Sequence, residues 1–137
     1  MIMIAELIEY KIDLVLTENE KVKSCVIEGD IFYCYHKPDQ ITELEDIQMV
    51  FNGFLKHMKS SGKSHRLIVE LAPHSSITTE ARHFLEAHKE EALCEAIITY
   101  NMAQRILINF YFKFKSHRHP SKAFKDRESA LAWANQF

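Results

Sequence analysis

Glycine and proline are scarce in this chain of 137 residues, with three of each. Glycine ordinarily makes up about 7% of a globular sequence. So few glycines argue against a collagen-like repeat, a flexible linker and a Gly-rich loop that cradles phosphate. Cysteine is limited to Cys25, Cys34 and Cys94. An odd count without short pairing suits a reducing compartment. No Cys-x-x-Cys or His-Glu-x-x-His spacing offers a set of metal ligands. No stretch approaches the roughly 18 uninterrupted apolar residues of a membrane span. Met1 to Ala5 is apolar, but Glu6 and Glu9 follow at once, without the basic lead and longer core of a secretory signal. The expectation is a cytoplasmic protein with no integral membrane association.

What is present is the balance of a soluble globular protein: 47% hydrophobic and 26% charged residues. One domain over residues 1–137 is expected, since domains commonly run to roughly 100–150 residues. The formal net charge of −2 conceals an asymmetry. Residues 101–127 hold seven cations, Arg105, Lys113, Lys115, Arg118, Lys122, Lys125 and Arg127, against one acid, Asp126. The rest of the chain holds ten basic and eighteen acidic residues. A basic segment with interspersed aromatics can meet nucleic acid or an anionic surface. In a chain that is acidic overall it reads instead as a solvated face, and no nucleic-acid partner is expected.

Hydrophobic periodicity divides the chain. Ile12, Leu14 and Leu16 alternate with Asp13 and Val15, as in a strand with one buried face. Val22–Ile27 and Ile31–Tyr35 read as further strands, and the turns between the three are too short for crossovers, so an antiparallel meander is expected. Thr42 and Glu45 have capping-box spacing ahead of a helix whose apolar residues are Leu44, Ile47, Phe51, Phe54, Leu55 and Met58. Ser60-Ser61-Gly62 ends it. Leu67–Leu71 reads as a strand buried on both faces, the mark of a βαβ crossover. Thr78 to about Glu91 reads as a helix, and Ala96–Tyr100 as the next buried strand. Asn101 caps a helix over residues 102–115, a short strand lies near Lys122–Lys125, and Asp126 caps a last helix bearing Ala130, Leu131, Trp133 and Ala134.

Catalytic constellations are missing. Ser61-Gly62-Lys63-Ser64 resembles the end of a phosphate-binding loop, but the Gly required five positions earlier is His57, and a strand follows where a helix must. His83 and His88, five positions apart, point to different sides of a helix. His117-Arg118-His119 has no further ligand motif beside it. The cysteines read as small buried hydrophobes. No Gly-x-Ser-x-Gly elbow occurs. The expectation is no catalytic residue, no metal, no cofactor and no enzymatic activity.

The order strands, helix, strand, helix, strand, helix, strand, helix resembles the STAS and SpoIIAA-like domains, which include bacterial anti-anti-sigma factors. The clearest match runs from Leu67 to Leu85: Leu67-Ile68-Val69-Glu70-Leu71, a short loop, Ile77, then Thr78-Thr79-Glu80-Ala81. Arg105, Asn109-Phe110, Pro120-Ser121-Lys122-Ala123-Phe124, Glu128, Ala130-Leu131 and Trp133 resemble small bacterial STAS-like proteins. The resemblance implies an α/β fold of SpoIIAA-like type, with a mixed sheet that begins as an antiparallel meander and continues in βα units, and about four helices. It implies a non-enzymatic module that binds a regulatory protein partner through the loop and helix start after Leu71. Ser75, Ser76, Thr78 and Thr79 are therefore the candidate partner or phosphorylation site. Thr78 falls where the switch regulators carry Asp, Thr79 where they carry the acceptor Ser, and Ala81 where they usually carry Gly.

The helix at 102–115 carries more apolar surface than one sheet face can cover. Its polar stripe is Asn101, Arg105, Asn109 and Lys113, and nearly everything else is apolar. A helix on a sheet needs an apolar arc of only about 100° or slightly more. A homodimer is expected to bury the excess, through a face containing Ile108, Tyr111 and Phe112. The alternative is a carrier role, with a lipid or small apolar ligand on the same face.

Overall fold

β-Branched and aromatic residues dominate Val22–Ile27 and Ile31–His36, and both segments are extended strands. The computed structural model describes residues 11–28, 30–88, 92–114 and 119–137. β1 (Ile12–Glu18), β2 (Val22–Ile27) and β3 (Ile31–His36) form the antiparallel meander. The Asn19 side-chain oxygen closes the first turn by accepting from the N–H groups of Lys21 and Val22. The chain then alternates: β4 (Ile41–Thr42), α1 (Leu44–Ser61), β5 (Arg66–Leu71), β6 (Ser76–Ile77), α2 (Thr79–His88), β7 (Cys94–Ile98), α3 (Met102–Phe114), β8 (Ser121–Phe124) and α4 (Arg127–Ala134). β3, β5, β7 and β8 lie parallel, so the six-stranded sheet has the order β1-β2-β3-β5-β7-β8. β4 and β6 form a separate parallel pair. Parallel neighbours need crossovers, and α1, α2 and α3 provide them.

Strand alternation sorts the core into two layers. On one face Cys25, Ile27, Tyr33, Tyr35, Ile68, Ala96 and Ile98 pack with Ala130 and Ala134 of α4. On the other Val22, Phe32, Cys34 and Leu67 pack with Val50 and Phe54 of α1, and the rings of Phe32 and Phe54 lie 4.4 Å apart. All three cysteines are buried free thiols, and burial pushes Cys25 up to about 11 and Cys34 to about 12. They are packing residues at neutral pH.

Local details depart from the sequence reading. β1 does not bury one face. Its pairing with β2 slips between Ile12 and Leu14 and again between Val15 and Thr17. An extra residue reverses the alternation. Ile12 and Leu16 therefore pack on opposite core layers, and Leu14 and Val15 stay half exposed. The capping box of α1 sits one residue later than expected, on Glu43 and Asp46. The Asp46 carboxylate accepts from the Glu43 N–H at 2.8 Å. Thr42 is occupied elsewhere, paired with Ile77 between β4 and β6 and with its hydroxyl 3.0 Å from His36 Nδ1. Gly62 takes φ of 68° and ends α1 by donating to the Met58 carbonyl, so Ser61-Gly62-Lys63-Ser64 is a helix stop. Asp126 caps α4 through Ser129 N–H as expected. The Met1–Ala5 segment, the helix end near Glu91, and Lys115, His117 and Arg118 lie outside the described residues.

Candidate functional site

The carboxyl ends of β3, β5, β7 and β8 lie along one end of the sheet, the usual place for functional loops in parallel architectures. The loop after β5 is tied down by its backbone. Ala72 N–H donates to the His36 carbonyl, Ser76 N–H to Gln40 and Thr78 N–H to Thr42. Asp39 (φ 61°) and His74 (φ 62°) are left-handed, and Asp39 N–H donates to the Pro73 carbonyl across the two loops. Ser75 turns inward and donates from Oγ to the Ala72 carbonyl at 2.7 Å. Thr78 Oγ1 accepts from Ala81 N–H, which makes Thr78 the cap of α2. Ser76 and Thr79 are exposed, and Thr79 is the first residue of α2. The four loop residues thus share one end of the sheet in three different settings: turn, surface and helix cap.

Behind this loop lies a polar network that the sequence reading missed. Glu70 is 1% exposed, in the middle of an apolar strand. Arg127 Nε and Nη2 each donate to one of its carboxylate oxygens at 2.8 Å, and Tyr100 Oη donates to Oε2 at 2.5 Å. One acid in a doubly buried strand demands a cationic partner, and that demand was the available signal. The arrangement pins the start of α4 and the β7–α3 junction to β5. A carboxylate held on both oxygens is a staple, not a base.

Two further buried groups are equally occupied. His36 lies between Thr42 Oγ1 and Cys34 Sγ, and burial pushes it down to about 4, so the ring is neutral at pH 7. His119 Nδ1 accepts from Ala92 N–H at 3.2 Å, which leaves Nε2 to donate to Glu95 Oε1 at 3.2 Å. Among the described residues no three His, Cys, Asp or Glu side chains are grouped to hold a metal ion. No helix among them is long and apolar enough to cross a membrane.

α3 has an unusual orientation. None of its described side chains is fully buried. Ile108, Tyr111 and Phe112, expected on the dimer or ligand face, are half-buried against the protein together with Gln104 and Arg105. Arg105 Nε is buried without a hydrogen-bond partner. The outward arc carries Met102, Ile106, Leu107 and Phe110, at 64%, 62%, 56% and 61% exposure. Hydrogen bonds at the amino end set this rotation. Asn101 Oδ1 caps Gln104 N–H at 2.8 Å, Gln104 Oε1 accepts from Tyr100 N–H, and Gln104 Nε2 donates to the Ala72 carbonyl. With Gln104 pinned to the sheet, the positions about 100° away on either side are fixed too. Burial pushes the Tyr111 hydroxyl well above its ordinary value, with the charges of Glu95 and Glu86 adding to the effect.

This architecture is a SpoIIAA-like fold. Its likeness extends to an uncharacterised protein of the DUF3478 family with a SpoIIAA-like fold from Shewanella loihica PV-4. That structure has a TM-score of 0.64 and 14% identity, over 86% of this chain and 97% of the other. A family described as "Domain of unknown function (DUF7793)" matches residues 25–137, and the chain belongs to it. No curated protein matches the chain in sequence. The expected mixed sheet, with meander first and βα units after, is the one found.

Proposed function

We propose that this SpoIIAA-like domain is a non-enzymatic, cytoplasmic binding module whose docking face is the outer side of α3. The observation that supports the reading is the rotation of α3: Gln104 and Arg105 turn toward the protein while Met102, Ile106, Leu107 and Phe110 turn to solvent. A helix free to turn would bury the four large apolar side chains, each worth on the order of 1.5–3 kcal/mol when removed from water. An apolar patch of this kind marks an interaction site. The exposed Thr79 and Ser76 offer a second contact region at the same end of the sheet, and a regulatory partner is the reading their position supports.

A second reading is a carrier of a lipid or small apolar ligand. The sequence from Thr99 to Lys125 contains no acidic residue, which favours an amphiphile with an anionic head. Native mass spectrometry of the purified chain reports bound ligand and additional chains together. Binding of a hydrophobic dye reports the open face. Phe110→Glu is expected to remove any bound species and to lower dye binding severalfold. A ligand-free monomer whose dye binding is unchanged by Phe110→Glu would contradict the docking face.

A further inference from the structure

We propose that the outer face of α3 closes on a second copy of this chain, the two helices parallel about a twofold axis running along them, with Lys113 of each copy against Glu86 of the other. The inference rests on the docking reading above and names the occupant of that face.

The borders of the face carry opposite charge. Helical positions are about 100° apart, so Asn109 and Lys113 border the Met102–Ile106–Phe110 row on one side, and Leu107 and then Tyr111 border it on the other. Lys113 is exposed on that side. The successive right-handed crossovers β5–α2–β7 and β7–α3–β8 set α2 beside α3 on one face of the sheet, on the Tyr111 side, and Glu86 of α2 is exposed there. α2 and α3 both return against the direction of the parallel strands. Glu86, late in α2, and Lys113, late in α3, therefore lie toward the same end of the sheet.

Symmetry then selects the arrangement. A twofold axis along the helices exchanges the two borders while keeping their height, so each Lys113 meets a Glu86. A twofold axis across the helices would bring Lys113 to the first turn of the other α3, which carries no acid. A uniformly anionic surface would meet Glu86 as a like charge. Spacing agrees as well: Ala103, Ile106 and Phe110 alternate by three and four residues, as along a coiled-coil seam. The four exposed side chains of both copies together offer on the order of 1,000 Å², the lower limit of a specific interface. The product is a modest, salt-sensitive dimer.

Sedimentation equilibrium at low and high salt tests this, with circular dichroism as a check that the surface variants fold. The wild type is expected to dimerise at micromolar concentration and to weaken as salt rises. Lys113→Glu and Glu86→Lys are each expected to raise Kd about tenfold, since symmetry breaks two ion pairs at once. The double variant should return to within about threefold of wild type, because the pairs re-form with exchanged signs. A double variant no tighter than either single one would overturn the parallel arrangement. A monomeric wild type whose dye binding still falls in Phe110→Glu would overturn the second copy and leave the docking face standing.

Discussion

α1 and α3 are both amphipathic crossover helices between parallel strands, yet they use their apolar residues in opposite ways. α1 buries Ile47, Val50 and Phe54, with Phe54 packed on Phe32 of β3. α3 turns Ile106, Leu107 and Phe110 outward and holds Gln104 and Arg105 against the protein. The difference lies at the amino ends. The α1 box of Glu43 and Asp46 satisfies backbone donors locally and leaves the apolar face free to find the core. In α3 the Gln104 amide spans from Tyr100 N–H to the Ala72 carbonyl and holds the helix in the rotation that turns these apolar side chains outward. A helix's pattern says which residues want burial; its anchoring hydrogen bonds decide which ones get it.

Substitutions at matched aromatic positions sharpen this contrast most. Phe54→Ala should cost about 3–5 kcal/mol of folding stability, the usual price of emptying a core site. Phe110→Ala should change monomer stability by no more than about 0.5 kcal/mol, as for other surface positions. Urea denaturation at low protein concentration measures both. Arg127→Met should be as severe as the core variant, about 3–5 kcal/mol, because it strands Glu70 as an unpaired buried charge. Replacing both, as Glu70→Leu with Arg127→Met, should recover much of that loss, and equal damage in single and double variants would contradict a staple role.

Acid should weaken the structure around His36. His36 lies beneath the β4–β6 pair, and burial holds it at about 4 against an ordinary 6.5. The unfolded chain therefore binds a proton that the folded chain refuses. Stability from this group is complete above about pH 6.5 and falls as pH drops toward 4, by at most about 3 kcal/mol. His36→Gln should flatten that part of the stability profile, measured by denaturation between pH 4 and 7. A smaller effect is expected at the helix start of the candidate loop: Thr78→Ala removes the α2 cap and should cost about 1 kcal/mol.

Much of the fold was legible because its signals are local. Val22–Ile27, Ile31–Tyr35 and Leu67–Leu71 read as strands from composition and turn spacing, and Asp126 and Asn101 read as caps from residue type. The slipped pairing of β1 was not legible, since a bulge depends on the partner strand and not on the alternation of Ile12, Leu14 and Leu16. The cap of α1 moved from Thr42 to Glu43 because a tertiary contact with His36 claimed the hydroxyl. The excess of apolar surface on residues 102–115 was visible in the sequence. Which side of it faced outward was not, because the contact between Gln104 and Ala72 spans 32 positions of the chain. The Glu70–Arg127 pair hid for the same reason, with 57 positions between its members.

The outward face of α3 can be tested directly by thiol labelling, since the three native cysteines are all buried. Ile106→Cys and Ile108→Cys place one accessible probe on each side of the helix. Rapid labelling of Ile106→Cys is expected in dilute solution, slowing as concentration rises, with slow labelling of Ile108→Cys throughout. Equal rates at the two positions, or faster labelling of Ile108→Cys, would contradict the outward face.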